Sequence, residues 1–397
     1  MALKYIDEID LNGKKVIARF DFNVPLAKDG SGAITDTTRV DAALPTIKYI
    51  LDHGATKLIM LSHLGRPKGE RNMKFTLEPV AKYLAEVLEQ DVILTESCTS
   101  ADIKNHLQNP KVKLILLENC RFHKEEEGND TNFAKTLASY ADIYCLDAFG
   151  TAHRKHASTY EIMRYFPNKS VGGFLLRKEM QALSQIVTNP AHPFAAILGG
   201  AKVADKIKVI EELSTKADTL FIGGAMAYPF LKAQGKNVGK SLCSDEDVDL
   251  AKKILASPQA SKITLPVDHV VSDSLEGSPE ACPTADIPEG KIGLDIGPKT
   301  VELYQSKLQG AKTVLWNGPM GMFENKAFAN GTFAIAKALA ASSAFTVIGG
   351  GDSVKAVKKS GVADKISHIS TGGGASLEFI ENAGTLPGIN ALKFGVN

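Results

Sequence analysis

Charge of either sign is not in excess in this chain: 46 Lys and Arg stand against 45 Asp and Glu, a formal net charge of +1. No bulk field therefore draws it to nucleic acid or to an anionic membrane, and any anion it binds must be held by local geometry. Long apolar runs are missing as well; none approaches the roughly 20 residues a membrane span needs. The opening MALKYIDEIDLNGKK has no apolar core behind a basic start, so no signal peptide is expected. The five cysteines (Cys98, Cys120, Cys145, Cys243, Cys282) show no CxxC spacing, which argues against a disulfide framework and a zinc site. Cys145, inside IYCLDAF, reads as a small buried hydrophobe. Together these absences predict a reduced, cytoplasmic setting.

Two familiar nucleotide signatures are also lacking. No GxGxxG opens a strand–helix–strand unit, against a dinucleotide dehydrogenase. GKNVGKS (235–241) imitates a phosphate-binding P-loop, but Gly235 and Gly239 are four apart where the motif needs five, and a helical rather than a strand pattern precedes it. Internal repeats and low-complexity tracts are absent too.

What is present is an alternation of short β-rich apolar runs and amphipathic helical stretches. Runs at 14–20, 56–61, 113–119, 141–147, 194–200, 219–224, 313–318 and 345–351 read as strands, with helices at 77–90 and 331–342 among the connections. A length of 397 residues exceeds one ordinary core, so two domains are expected. A helical pattern at 175–187 followed by TNPAHPF, with prolines at 190 and 193, marks the linker. The predicted fold class is α/β: two Rossmann-like three-layer domains with parallel sheets, joined by an interdomain helix and hinge, over 1–175, 176–193 and 194–379, with 380–397 as a closing segment.

Parallel α/β sheets bind ligands beyond the carboxyl ends of their strands. In the first half those positions read DFNVP, SHLGRPKG, CRFHKEEE and AFGTAHRKH, so His63, Arg66, Arg121 and Arg154 each follow a strand, and Arg39 opens the first helix on the same edge. Any one arginine is as readily a surface residue; together they suit a carboxylate or phosphate, which a guanidinium grips bidentately. In the second half the strand ends turn glycine-rich: LGGAKVADK, IGGAMAY, WNGPMGMFE, IGGGDSV and STGGGAS. One such turn is weak; five point to a nucleotide-sized anion held by backbone N–H groups and helix N-termini. Lys202 and Lys206, four apart, are expected on one face of a helix beginning at AKVADK. Asp352 is either a helix N-cap, a Mg2+ ligand, or both. Glu324 is either a surface carboxylate or an acceptor for ribose hydroxyls.

Taken in order, DFNVP, SHLGRPKG, RFHKEE, DAFGTAHR, LGGAKVADKI, NGPMGMFE, GGGDS and STGGGASLE resemble the phosphoglycerate kinase family over almost the whole chain. The resemblance implies reversible phosphoryl transfer from 1,3-bisphosphoglycerate to ADP, giving 3-phosphoglycerate and ATP, with Mg2+ accompanying the nucleotide, in a monomer with no nucleic-acid or membrane partner. It implies that Asp21, Asn23, Arg39, His63, Arg66, Arg121 and Arg154 bind the phosphoglycerate. It assigns Lys202, Lys206, Gly223, Gly293, Glu324, Gly350, Gly351, Asp352 and Ser353 to the nucleotide, with Asp352 as the metal ligand. Arg39, Lys202, Lys206, Gly349 and Gly372 surround the transferring group. The segment 380–397 is expected to return to the first domain. Leu146, Ala225 and Pro229 depart from the family's usual Asn, Gly and Thr. Two rivals are a two-lobed solute receptor, which leaves the glycine turns unexplained, and another nucleotide-dependent kinase acting on a small acid.

Overall fold

The computed structural model describes residues 2–396. It divides into two compact units, one taking the described residues up to Gln181 with those from Thr385 onward, the other running Ala182–Gly384. The helix Phe174–Thr188 passes from the first unit into the second.

In the first unit the strands are β1 (Lys15–Phe20), β2 (Lys57–Leu61), β3 (Val92–Leu94), β4 (Leu114–Leu116), β5 (Ile143–Asp147) and β6 (Ser170–Gly172), paired in the order β3-β4-β2-β1-β5-β6. Every pairing is parallel; β1 registers Arg19 with Leu61 on one side and Phe20 with Asp147 on the other. β2, β4 and β5 are buried along their whole length, as expected of parallel strands covered on both faces. The helix Thr38–Asp52 buries Val40, Ala43, Ile47 and Ile50, a stripe recurring at three and four residues. The last helix, Pro387–Phe394, belongs to this unit, where the Gly388 N–H donates to the Ala152 carbonyl at 2.8 Å. A Cβ on Gly388 would come within 3.3 Å of the buried Leu146 side chain, so the leucine found in place of the family's asparagine packs beneath the returning helix.

The second unit holds β7 (Phe194–Leu198), β8 (Thr219–Ile222), β9 (Ile263–Thr264), β10 (His269–Ser272), β11 (Glu280–Cys282), β12 (Ile292–Ile296), β13 (Thr313–Asn317), β14 (Phe345–Gly349) and β15 (His368–Ile369). Six make a parallel sheet ordered β15-β14-β13-β7-β8-β9, and three make an antiparallel sheet ordered β11-β10-β12. The antiparallel sheet is absent from the sequence reading. Its strands are short, and a bulge between Val270 and Val271 breaks the alternation. The eight strands read from sequence all form, but those of the second unit stop before their final glycines. Gly200, Gly318 and Gly350 take φ of 110°, 99° and 87°, which turns the backbone out of the ladder.

Candidate active site

Four adjacent strands of the first sheet, β4-β2-β1-β5, end on one edge, and the residues beyond them are those singled out above. β1 leads to Asp21 and Asn23, β2 to His63 and Arg66, β4 to Arg121 and β5 to Arg154, while Arg39 is the second residue of the helix Thr38–Asp52. The buried Asp21 accepts a 2.5 Å hydrogen bond at Oδ2 from Arg39. Burial by itself would raise the Asp21 carboxyl; the Arg39 guanidinium, helped by Arg19 and by the Asn23 N–H at 3.2 Å, more than offsets it and holds it below the ordinary value. Asn23 Oδ1 accepts from the Gly65 N–H at 2.9 Å, and Arg121 donates to the Gly65 carbonyl at 3.0 Å, so both grip the same loop. Arg66 and Arg154 are exposed and form no ion pair among the described residues.

Arg19 reads in the sequence as one more residue of a strand, yet it organises this edge from within. Fully buried, it donates from Nε to Ser158 Oγ (2.9 Å), from Nη1 to the Phe20 carbonyl, and from Nη2 to His63 Nδ1 (3.0 Å). A guanidinium only donates, so Nδ1 of His63 is the acceptor and the ring carries its proton on Nε2. Burial, reinforced by Arg19, Arg121 and Arg39 against the opposing pull of Asp21, keeps the His63 pKa well below the ordinary value. His63 is thus a neutral, single-donor imidazole. Ser158 relays the Arg19 charge to the buried Glu126, donating from Oγ at 2.6 Å and from its backbone N–H at 2.9 Å. The signal was a lone charge within the apolar run VIARF, since a buried charge needs partners. His153 and His156 on the same edge are also neutral; burial and the neighbouring arginines lower them to about 4 and about 3.

In the second unit the five glycine turns follow β7, β8, β13, β14 and β15, which are neighbours in the sheet. A cleft of about 230 Å³ lies along four of them, bounded by Ala201 after β7, Ala225 and Tyr228 after β8, Leu294 of β12, Met322 after β13 and Asp352 after β14. Lys206 Nζ donates to the carbonyls of Gly199 (2.6 Å) and Asn317 (3.1 Å), leaving one of its three N–H donors for a ligand. Burial lowers its pKa from 10.5 to about 8, opposed by Asp205 and Asp352. Ser353 Oγ accepts from the Gly318 N–H at 2.5 Å, tying the turn after β13 to the helix Gly351–Lys359. The first N–H groups of that helix have no intrahelical acceptor and suit an anion.

Two expectations need correction, and the other site residues are placed as follows. Lys202 and Lys206 do not share a helical face: Lys202 lies exposed in irregular backbone, a 3-10 turn covers Ala204–Lys206, and the α-helix begins at Ile207. Asp247, accepting from the Ala204 N–H at 2.8 Å, holds the chain in that tighter turn. Asp352 is not the N-cap, a place taken by Gly350; its exposed carboxylate pairs with Lys355 at 3.1 Å and borders the cleft. The Gly372 N–H is engaged by Ser370 Oγ at 3.1 Å within its own turn. Glu324 is exposed, two residues beyond Met322. Gly223 and Gly293 act as spacers, since a Cβ would lie 2.4 Å from Met320 Sδ and 2.3 Å from the Tyr228 hydroxyl respectively. Ala225 borders the cleft, and Pro229 lies within the helix Ala227–Ala233.

The family model described as phosphoglycerate kinase matches residues 6–383. Phosphoglycerate kinase of Anaeromyxobacter dehalogenans is 53% identical over 400 residues, covering 99% of this chain and 100% of the relative. That of Moorella thermoacetica is 50% identical over 397 residues, covering 99% of each. Among solved structures, phosphoglycerate kinase from Coxiella burnetii superposes with a TM-score of 0.88 at 38% identity over 100% of both chains, and that from Pyrococcus horikoshii with 0.86 at 33% over 99% of both. With the signature segments in order, a basic strand-edge in one unit and a glycine-walled cleft in the other, the chain belongs to the phosphoglycerate kinase family, whose members transfer a phosphoryl group between 1,3-bisphosphoglycerate and ADP.

Proposed function

We propose that the basic edge of the first unit binds the phosphoglycerate and that the cleft of the second binds the nucleotide. The observation that carries this reading is the half-buried Lys206 ammonium, fixed by two carbonyls with one donor to spare, beside the open first turn of the helix Gly351–Lys359. Arg66, Arg121 and Arg154 hold the remote 3-phosphate, and His63 donates from Nε2. Arg39, oriented by Asp21, meets the transferring group. The acceptor oxygen is already an anion, so no side-chain nucleophile is required; positioning and charge neutralisation do the chemistry. Each preorganised cationic donor contributes about 3–4 kcal/mol to the transition state. Because the two residue sets belong to separate units, hinge closure brings the reacting atoms within about 3–3.5 Å.

Among the described residues no group of three His, Cys, Asp or Glu could hold a metal ion. A single exposed carboxylate, Asp352, fits a Mg2+ delivered by the nucleotide phosphates, the usual way this ion is bound. When bound, it neutralises charge on the transferring phosphoryl group. We further assign a monomer of the cytoplasm without nucleic-acid partners, in keeping with the balanced charge and with the lack, among the described residues, of a helix long and apolar enough to cross a membrane. A coupled assay offering 3-phosphoglycerate beside other small phosphorylated and unphosphorylated acids tests the substrate. Turnover with 3-phosphoglycerate alone is expected, and preference for another acid would overturn the assignment. Lys240→Ala, in the P-loop look-alike, should change ATP KM by less than about twofold.

A further inference from the structure

One buried amide joins separate strand ends of the basic edge in the first unit. We infer that Asn119 is a positioning residue for phosphoglycerate binding: its side chain fixes the spacing between the loop that carries His63 and Arg66 and the turn that carries Arg121. The inference rests on the phosphoglycerate reading of this edge.

Asn119 follows β4 and opens the 3-10 turn Cys120–Phe122, with none of its surface exposed. Nδ2 donates to the Leu64 carbonyl at 2.7 Å and to the Phe75 carbonyl at 2.8 Å, while Oδ1 accepts from the Arg121 N–H at 3.0 Å. These partners fix the orientation of the amide, because the flipped group would set its oxygen against two carbonyl oxygens. Both of its N–H donors are thereby used. The β2–β4 ladder ends at Met60 and Leu116; beyond it the two strands give way to loops, and Asn119 bridges them. Leu64 lies between His63 and Gly65–Arg66, so the bond to its carbonyl holds the segment from which both basic side chains project. Phe75 completes the arrangement. Its ring occupies the space that a Cβ on Gly65 would need, which suits glycine at φ 62°. Glu118, also buried, accepts from the Asn119 N–H at 2.8 Å, the Leu77 N–H at 2.8 Å and the Thr76 hydroxyl at 2.6 Å, fastening the chain that follows Phe75. Arg121 in turn donates to the Gly65 carbonyl, so a shift of the Leu64–Gly65 backbone reaches both arginines. Arg66 forms no ion pair among the described residues, and its backbone therefore sets where its guanidinium can reach.

Asn119→Ser tests this. It keeps an acceptor at the start of the turn, a place serine favours, adds no charge, and removes the two donated bonds. The KM for 3-phosphoglycerate should rise about tenfold or more, since a misplacement near 1 Å costs up to about 10²-fold, with kcat at saturation and ATP KM within twofold. Asn119→Asp, which sets an oxygen against the two carbonyls, should raise the same KM further. KM does not register the fraction of unfolded enzyme. A purely structural role would therefore lower kcat at a wild-type KM, and that result overturns the inference. So does a rise confined to Asn119→Asp, which would be the effect of an added charge, or an equal rise in the KM of both substrates. Action through the loop predicts that Arg66→Ala raises the KM by less in the Asn119→Ser background than in wild type; full additivity overturns it. Failure of the phosphoglycerate reading is a separate result: Arg66→Ala and Arg154→Ala would each leave the 3-phosphoglycerate KM untouched.

Discussion

Lys206 should impose opposite pH dependences on activity and on stability. Its pKa of about 8, displaced from 10.5, corresponds to about 3 kcal/mol that disfavours the charged form in the folded protein. Because the folded value lies below the unfolded one, the unfolded chain binds more protons between about pH 8 and 10.5. This lysine therefore adds stability as pH rises through that window. Nucleotide capture runs the other way, since the cation disappears above about pH 8. In wild type kcat/KM for ATP should fall with a one-proton slope above that pH. Bound phosphates favour the ammonium, so kcat should hold to higher pH. Lys206→Arg keeps a charge at all accessible pH and should lose the alkaline limb even if its rate is lower. Lys206→Met should lower kcat by about 10²–10³. Steady-state kinetics from pH 7 to 9.5 decide the matter. A flat wild-type profile, or the same limb in Lys206→Arg, refutes the reasoning.

Arg39→Ala should lower kcat at least about 10²-fold, since it removes a preorganised charge of about 3 kcal/mol, while Mg-ADP Kd measured by titration stays within twofold. Asp147, buried at the end of β5, is raised by that burial to about 7. Its contribution to stability is present below the unfolded carboxylate pKa and is lost as pH rises through about 7, a change of about 4 kcal/mol. Asp147→Asn should therefore flatten urea-denaturation stability between pH 4 and 8, and a pH dependence identical to wild type would count against it. Gly350→Ala places a Cβ 2.9 Å from Asn317 Nδ2 at φ 87°. It should lower stability by roughly 1–3 kcal/mol and weaken ATP binding, as read by calorimetry.

The parallel sheets were legible because fully buried strands are continuous apolar runs such as KLIML and IYCLD, and the rule that ligands sit at strand carboxyl ends carried Arg39, His63, Arg66, Arg121 and Arg154 to one edge. The antiparallel sheet was not, since HVVS, EAC and IGLDI are short and mixed in polarity. Arg19 was hidden because strand membership explained its neighbours and its partners, Ser158 and Glu126, lie more than 100 residues away in sequence. The lysine pair failed because Asp247, 43 residues on from Ala204, decides where the helix after β7 begins. Tyr228 gives no sign in the sequence of where its hydroxyl lies, because only packing against Gly293 shows it.

Calorimetric titration of 3-phosphoglycerate and of Mg-ADP, each separately, into Arg154→Ala and Lys202→Ala tests the division of labour most directly. Both side chains are exposed, so neither change should disturb folding. Arg154→Ala should weaken 3-phosphoglycerate about tenfold, one charge-assisted contact, and leave Mg-ADP within twofold; Lys202→Ala should do the reverse. Loss of both ligands by similar factors in either variant, or the crossed pattern, would contradict the assignment of one substrate to each unit.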